Sequence, residues 1–119
     1  MKIYINKILI KYLFLLICML FVMDVYGGVV TTDWVNIKQI QLGWNVKRVN
    51  FRLEQEIENP ASCSSTYTAS IDEDRVNLEH LYALALTSFA SQKEVQFVIS
   101  DSACSNNGKI KIISIYSKS

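Results

Sequence analysis

The chain has 119 residues, enough for one domain, and 12 basic against 11 acidic side chains give a formal net charge of +1. This balance gives no support for broad capture of nucleic-acid phosphates. A single histidine and three widely spaced cysteines do not fit the usual zinc-binding patterns, so we expect no metal and no cofactor.

The N-terminal segment has the pattern of a secretory signal peptide. Three lysines within the first 11 residues precede an uncharged apolar run of 12 residues, Tyr12–Met23, and Val25 and Gly27 suit the −3 and −1 positions of a cleavage site. The apolar run is shorter than the roughly 20 residues of a spanning helix. We therefore predict a signal peptide over 1–27 and a secreted or periplasmic domain over 28–119, with no membrane span after cleavage.

Cleavage after Gly27 would change both the charge and the cysteine content. It removes three lysines and one aspartate, which leaves a formal net charge near −1 and makes nucleic acid an unexpected partner. It also removes Cys18, so that Cys63 and Cys104 remain. Two cysteines in a small exported chain most often pair, and we predict a disulfide between them.

Hydrophobic periodicity predicts three strands in the first part of the domain. Thr32–Leu42 forms the first, and a change of parity among its apolar residues predicts a bulge near Lys38 and Gln39. A short connection over 43–45 leads to a long second strand over 46–58, with Val49, Phe51, Leu53 and Ile57 on one face. After the loop "NPASCSS", residues 66–71 form a third strand, with Tyr67, Ala69 and Ile71 on one side.

The period then changes to that of a helix. Leu78, Leu81, Tyr82, Ala85 and Phe89 form one helical stripe, and Asn77 is suited to the N-cap. Strands over 94–100 and 110–116 follow, separated by the polar loop 101–109. The order β-β-β-α-β-β predicts a mainly β fold, a five-stranded OB-fold-like barrel. An open antiparallel sheet with one helix packed on it is the alternative.

Three stretches carry a resemblance to known families: "GWNVKRVNFRLEQ", "NPASC" and "LYALALTSFASQKEVQFVISDSAC". They resemble a group of small exported bacterial proteins of unassigned role. More distantly, the layout is similar to the B subunits of subtilase-cytotoxin and typhoid-toxin type toxins. That resemblance implies an exported OB-fold that forms a pentamer and binds glycans. A serine that opens strand 1 of those subunits contacts the sugar, which makes Thr32 the corresponding candidate here.

Side chains that could act in catalysis are few. His80 lies off the apolar stripe of the predicted helix, and no second histidine or nucleophile motif accompanies it. Glu54, Glu56 and Glu58 share one face of the predicted second strand, but no apolar neighbour would raise their pKa for acid catalysis. We therefore expect no enzymatic activity.

The residues best suited to a ligand lie at the predicted connections between strands. A sugar needs neutral hydrogen-bonding groups and an aromatic ring, which Trp44, Asn45, Asn106 and Asn107 provide. The second strand offers arginines at one end and glutamates at the other, a pattern that does not favour nucleic acid. The alternative hypothesis is a protein-interaction module, either an inhibitor or an accessory subunit, that uses this charged strand as its contact surface.

Overall fold

The computed structural model describes residues 2–23, 27–43 and 45–119. Within these ranges the elements follow one another as α1 (Lys2–Met23), β1 (Val29–Thr31), β2 (Ile37–Leu42), β3 (Val49–Leu53), β4 (Thr68–Ile71), α2 (Leu78–Ala90), β5 (Val95–Cys104) and β6 (Ile110–Ser117). The sequence predictions for Val25 and Trp44 lie outside the described residues.

Helix α1 covers most of the predicted signal peptide. It is 22 residues long, and its apolar side chains between Ile8 and Ile17 are exposed to solvent. No helix in the described part of the chain is both long enough and apolar enough to cross a membrane.

The strands form one mixed sheet with the order β1-β5-β6-β4-β3-β2. All neighbours are antiparallel except β4 and β6, which run parallel. The mainly β class is therefore confirmed, but the predicted count of five strands is wrong. Across the described ranges the six strands form an open sheet, and no closed barrel is found. The extra strand is β1, which ends just before the predicted first strand, Thr32–Leu42; within that predicted strand only β2 is formed.

The segment between β1 and β2 changes its hydrogen-bonding partner, so the predicted strand is interrupted before Ile37. On one side, the Thr32 amide donates to the Phe97 carbonyl at 2.9 Å, and Val35 forms an isolated antiparallel bridge to Val95 with bonds of 2.8 and 2.9 Å. On the other side, the Asn36 carbonyl accepts a hydrogen bond from the Glu54 amide at 3.0 Å. Glu54 is the residue that follows β3. One short segment thus contacts both β5 and the end of β3.

The predicted bulge is confirmed in β2. The register with β3 shifts between Ile37 and Gln39, so Lys38 is the extra residue. Val35 and Ile37 are buried before the bulge, and Ile40 packs against the core after it. The bulge at Lys38 therefore accounts for the change of parity among the apolar residues of this segment.

The core lies on the inner faces of β3 and β5. The alternating residues Val49, Phe51 and Leu53 of β3 and Val95, Phe97 and Ile99 of β5 are all buried, as their periodicity predicts. Ring centroids of Phe51 and Phe97 are 5.7 Å apart at a tilt of 44°. Strand β3 is shorter than predicted, although Ile57 beyond its end is also buried.

Two side chains that the sequence grouped with buried neighbours are exposed in the structure. Tyr67 is 43% exposed and precedes β4, which begins at Thr68. Phe89 is also exposed, and Ser88 occupies the inward position near the end of α2. The Ser88 hydroxyl lies 2.7 Å from that of Ser117, at the end of β6. Asn77 occupies the N-cap position of α2 but makes no side-chain capping bond.

The predicted disulfide between Cys63 and Cys104 is confirmed, with a Cα–Cα distance of 5.7 Å. The side chain of Asn59 holds the loop that carries Cys63: its Nδ2 donates to the Cys63 carbonyl at 2.8 Å, and its Oδ1 accepts from the Cys63 amide at 2.7 Å. Strand β5 continues to Cys104, so the polar loop before β6 is shorter than the sequence suggests.

Candidate functional site

The side chains considered for catalysis lie apart from one another. His80 is exposed on α2. Glu54, Glu56 and Glu58 are exposed beyond the end of β3, so they do not share a strand face as predicted. In the described ranges, no three histidine, cysteine or acidic side chains form a group that could hold a metal ion.

Thr32, the position suggested by the toxin resemblance, lies in the interior and is 1% exposed. Its hydroxyl accepts a hydrogen bond from the Phe97 amide at 3.1 Å and donates to the Asp33 carbonyl at 2.9 Å. The hydroxyl therefore helps to hold the segment between β1 and β2 against β5, and it has little surface for a ligand.

Asn107 lies within a polar cluster that joins the β5–β6 loop to the sheet. Its Nδ2 donates to Asn50 Oδ1 at 3.0 Å and to Ser70 Oγ at 3.3 Å, and its Oδ1 accepts from the Ser105 hydroxyl. Ser70, which is fully buried, donates to Asn50 at 2.6 Å. Asn107 thus satisfies polar groups of β3 and β4.

Asn106 binds the acidic segment that precedes α2. The backbone amide of Asn106 donates to the buried carboxylate of Asp72 at 2.8 Å, and its side-chain Nδ2 lies 3.5 Å from the Glu73 carboxylate. The Asp72 carboxylate also lies 4.0 Å from the Lys111 ammonium. Arg48 Nε donates to Glu73 at 3.2 Å and its Nη2 to the same carboxylate at 3.3 Å.

The local hydrogen bonds lower the pKa of Glu73 from its ordinary value of 4.5. A bond from its own backbone amide contributes most, partial desolvation opposes it, and Arg48 and Asn106 lower the pKa further. A carboxylate with a lowered pKa stabilises the fold above its unfolded-state pKa, and this contribution disappears as the pH falls through the folded-state pKa.

Replacement of Glu73 by glutamine should therefore destabilise the protein at about pH 7 and have little effect at about pH 3. Urea denaturation at low salt measures the difference, because screening weakens an exposed pair. The control is Glu56→Gln, since Glu56 is exposed and has no ion pair among the described residues. An equal effect of Glu73→Gln at both pH values would show that its charge is not involved.

The predicted ligand residues do not form one site. Asn106 and Asn107 lie in adjacent parts of the β5–β6 loop, whereas Thr32 bonds to β5 and Asn45 is exposed in the β2–β3 connection. Trp44, the aromatic residue of that prediction, is outside the described residues.

A different polar surface extends from the C-terminal end of α2 across β2, β3 and β4. It consists of three clefts of about 660, 470 and 180 Å³. The middle-sized cleft shares Lys38 and Glu54 with the largest one, and it shares Arg52 and Thr68 with the smallest. We call this continuous surface the outer groove. Its principal polar and aromatic lining residues are Asn36, Lys38, Gln39, Gln41, Asn50, Arg52, Glu54, Tyr67, Thr68, Phe89, Gln92, Lys93 and Lys109.

The backbone of β2 and β3 determines which side chains face the outer groove. In β3, burial of Phe51 and Leu53 turns Asn50 and Arg52 to the opposite face. In β2, the bulge leaves the consecutive residues Lys38 and Gln39 both exposed. The sequence indicated both the alternation and the bulge, but the largest cleft also depends on the packing of α2, which local periodicity does not predict.

Most polar side chains of the outer groove are unpaired within the described chain. Lys38, Gln39, Gln41, Arg52 and Glu54 form no side-chain hydrogen bond or ion pair with a described residue. Thr68 Oγ1 is the buried side-chain oxygen that lacks a partner in the same part of the chain. The outer groove can thus offer several donors and acceptors to a bound molecule, unlike the internally bonded Asn107 cluster.

Comparisons with protein-family models, with curated proteins and with solved structures found no match to this chain.

Proposed function

We propose that the protein is an exported, non-catalytic binding protein that holds a glycan or another cell-surface ligand in the outer groove. The observation that carries this proposal is the row of polar side chains on β2 and β3 that have no partner among the described residues. A ligand that bonds to these groups replaces water without breaking existing contacts within the protein.

Features outside the groove support the proposed export. The N-terminal lysines, the apolar run and the small residues near Gly27 have the order of a signal peptide. Exposed apolar side chains on α1 are expected of a segment that is removed from the mature domain. The disulfide is typical of an oxidising compartment, so secretion or a periplasmic location is the proposed destination.

The finer architecture that we propose is a distorted OB-fold-like barrel. The two edge strands, β1 and β2, are consecutive parts of one chain segment. The Val35–Val95 bridge and the bond from Glu54 to Asn36 lie between them. If β1 and β2 are counted as one bent strand, the sheet order begins and ends with the same strand, as it does in a closed barrel. The outer groove would then include the strand 2 and 3 face that OB-folds use for binding.

The chemistry of the outer groove suits a sugar ligand. Gln39 and Gln41 present neutral amides, which can both donate to and accept from hydroxyl groups. Tyr67 and Phe89 are exposed aromatic rings, one in each of the two larger clefts, that could pack against the apolar face of a sugar ring. Lys38 and Arg52 are accompanied by Glu54, so the surface is less basic than a nucleic-acid groove.

A specific observation supports the alternative of a protein-interaction module. Leu42 and Val46 are 56% and 43% exposed on the two sides of the β2–β3 connection. Together with Val49, Leu78 and Tyr82 they line an apolar groove of about 290 Å³. An exposed apolar surface of this kind suits a protein partner better than a sugar.

The test is a glycan-array screen of the exported product of the full chain. We expect binding, and we expect Arg52→Gln to weaken it by about 10-fold or more, because a lost bond to a charged group costs about 1.5–3 kcal/mol. The matched control is Lys47→Gln, which removes one charge in the β2–β3 connection outside the outer groove.

Trp44→Ala tests the alternative position predicted from the sequence. Loss of binding in Trp44→Ala but not in Arg52→Gln would show that the ligand binds at the β2–β3 connection and not in the outer groove. Absence of any glycan signal would favour the protein-interaction module, and binding of single-stranded oligonucleotides that weakens with salt would contradict both proposals. Light scattering of the same preparation checks the pentamer that the toxin resemblance implies, since a monomer contradicts it.

A further inference from the structure

Gly28 and Asp101 hold each other by two hydrogen bonds where the β1–β5 ladder begins. The Gly28 amide donates to the carboxylate Oδ1 of Asp101 at 2.8 Å, and the Asp101 amide donates to the Gly28 carbonyl at 3.2 Å. The next pair along the ladder is Val29 with Ser100. Among the described residues that lead into β1, Gly28 is therefore the first whose amide and carbonyl both form hydrogen bonds with β5.

The second carboxylate oxygen of Asp101 also faces this residue. A Cβ atom added to Gly28 would lie 2.7 Å from Asp101 Oδ2, so a larger residue would push the carboxylate away. Close approach of both oxygens thus depends on glycine at position 28.

The cleavage site predicted from the sequence lies at the same place. Cleavage after Gly27 makes Gly28 the first residue of the exported protein, so its nitrogen becomes an α-ammonium group. The peptide bond between Gly27 and Gly28 is hydrolysed by one water molecule, which leaves a carboxylate on the leader and the ammonium on the domain. The nitrogen that already donates to Asp101 would then carry a positive charge and additional donors.

We propose that signal cleavage at Gly27–Gly28 creates an ion pair between the new α-ammonium of Gly28 and the carboxylate of Asp101, and that this pair fastens β1 to the sheet. The inference rests on the proposed export but not on the proposed ligand. Asp101 is the one charged side chain on β1 and β5, as their described residues show. On the neighbouring β6, Lys111 lies beside Asp72, and Tyr116 is paired with Gln96 at the far end of the ladder.

The first measurement is the N-terminal sequence and mass of the exported product, expressed from the full chain in a bacterial host. A product that begins with Gly28 is expected. A retained leader would overturn both the export proposal and this inference. A product that begins at another residue would overturn only the ion pair.

The second measurement separates the charge from the hydrogen bond. Asp101→Asn keeps an oxygen that can accept from Gly28 but removes the carboxylate charge. Insertion of one alanine between Gly27 and Gly28 leaves the cleavage signal unchanged but moves the ammonium by one residue, about 3.8 Å along the chain. All four combinations can be exported, purified and unfolded in urea at low salt.

Asp101→Asn is expected to lower the equilibrium constant for folding by up to about fivefold in the protein that begins with Gly28, as for other exposed ion pairs. In the alanine-extended protein the same substitution should have a clearly smaller effect. The effects of Asp101→Asn in the two proteins should become more similar at about 1 M salt, where charges are screened within about 3 Å. Equal effects of Asp101→Asn in both proteins would overturn the ion pair and leave export intact.

Discussion

Replacement of Cys63 and Cys104 by serine is expected to lower the free energy of unfolding of the protein by about 3–4 kcal/mol. The two cysteines are 41 positions apart, and their bond restricts a large loop of the unfolded chain. A domain of this size buries only a modest core, so this loss is a large part of its expected stability. Urea denaturation of the double variant against the oxidised wild type measures the effect.

Two controls define the origin of that loss. The wild-type protein treated with a reducing agent should unfold at nearly the same urea concentration as the double variant. Asn59→Ala should have a smaller effect, because it removes the two bonds that hold the Cys63 loop but leaves the disulfide intact. A double variant as stable as the oxidised wild type would show that the disulfide contributes little.

Phe97→Ala is expected to lower the free energy of unfolding by about 3–5 kcal/mol. Phe97 has no exposed surface, and its ring packs against that of Phe51. Removal of the ring leaves a cavity between β3 and β5 that the surrounding strands cannot fill. Denaturation monitored by far-ultraviolet circular dichroism measures the loss, and if Phe97→Ala is too unstable to purify, Phe97→Leu should show a smaller loss of the same sign.

Phe89→Ala is the matched control for this substitution. Phe89 is 38% exposed on α2 and borders the outer groove, so its loss should change stability by much less. If the groove binds a sugar, Phe89→Ala should instead weaken binding. A Phe97→Ala protein that unfolds like Phe89→Ala would contradict the core described for β3 and β5.

The residues of the core could be predicted because their periodicity is local. Val49, Phe51 and Leu53 alternate with polar residues, and the change of parity around Lys38 indicated the bulge. The disulfide was predicted because two cysteines would remain after removal of the predicted signal peptide. Each of these predictions needs only the pattern within one segment and no knowledge of its neighbours.

The extra strand could not be predicted in this way. Thr32 and Val35 bond to Phe97 and Val95, which lie some 60 positions later in the chain. A partner at that distance leaves no mark on local periodicity, so the sequence did not indicate β1 and began the next strand too early, at Thr32. Tyr67 was misplaced for a related reason, because the end of a strand depends on which neighbour it pairs with.

The partners of the candidate ligand residues could not be predicted from the sequence for a reason of chemistry. Asn106 and Asn107 have the polar character of a ligand-binding loop, but their partners are Asp72, Asn50 and Ser70. A polar loop residue that satisfies a buried group cannot be distinguished by sequence from one that awaits a ligand. Arg52 and Asn50 were noted on the polar face of their strand, and the structure adds the clefts around them.

The parallel pairing of β4 with β6 affects when the protein can fold. Strand β6 lies between the two halves of the sheet, with β2, β3 and β4 on one side and β5 and β1 on the other. The other backbone pairing between these halves is the Val35–Val95 bridge. Strand β6 is also the last of these strands in chain order. The two halves of the sheet can therefore join only once β6 is present, and contacts this distant in sequence form slowly. Completion of the sheet is thus expected to be a late step of folding.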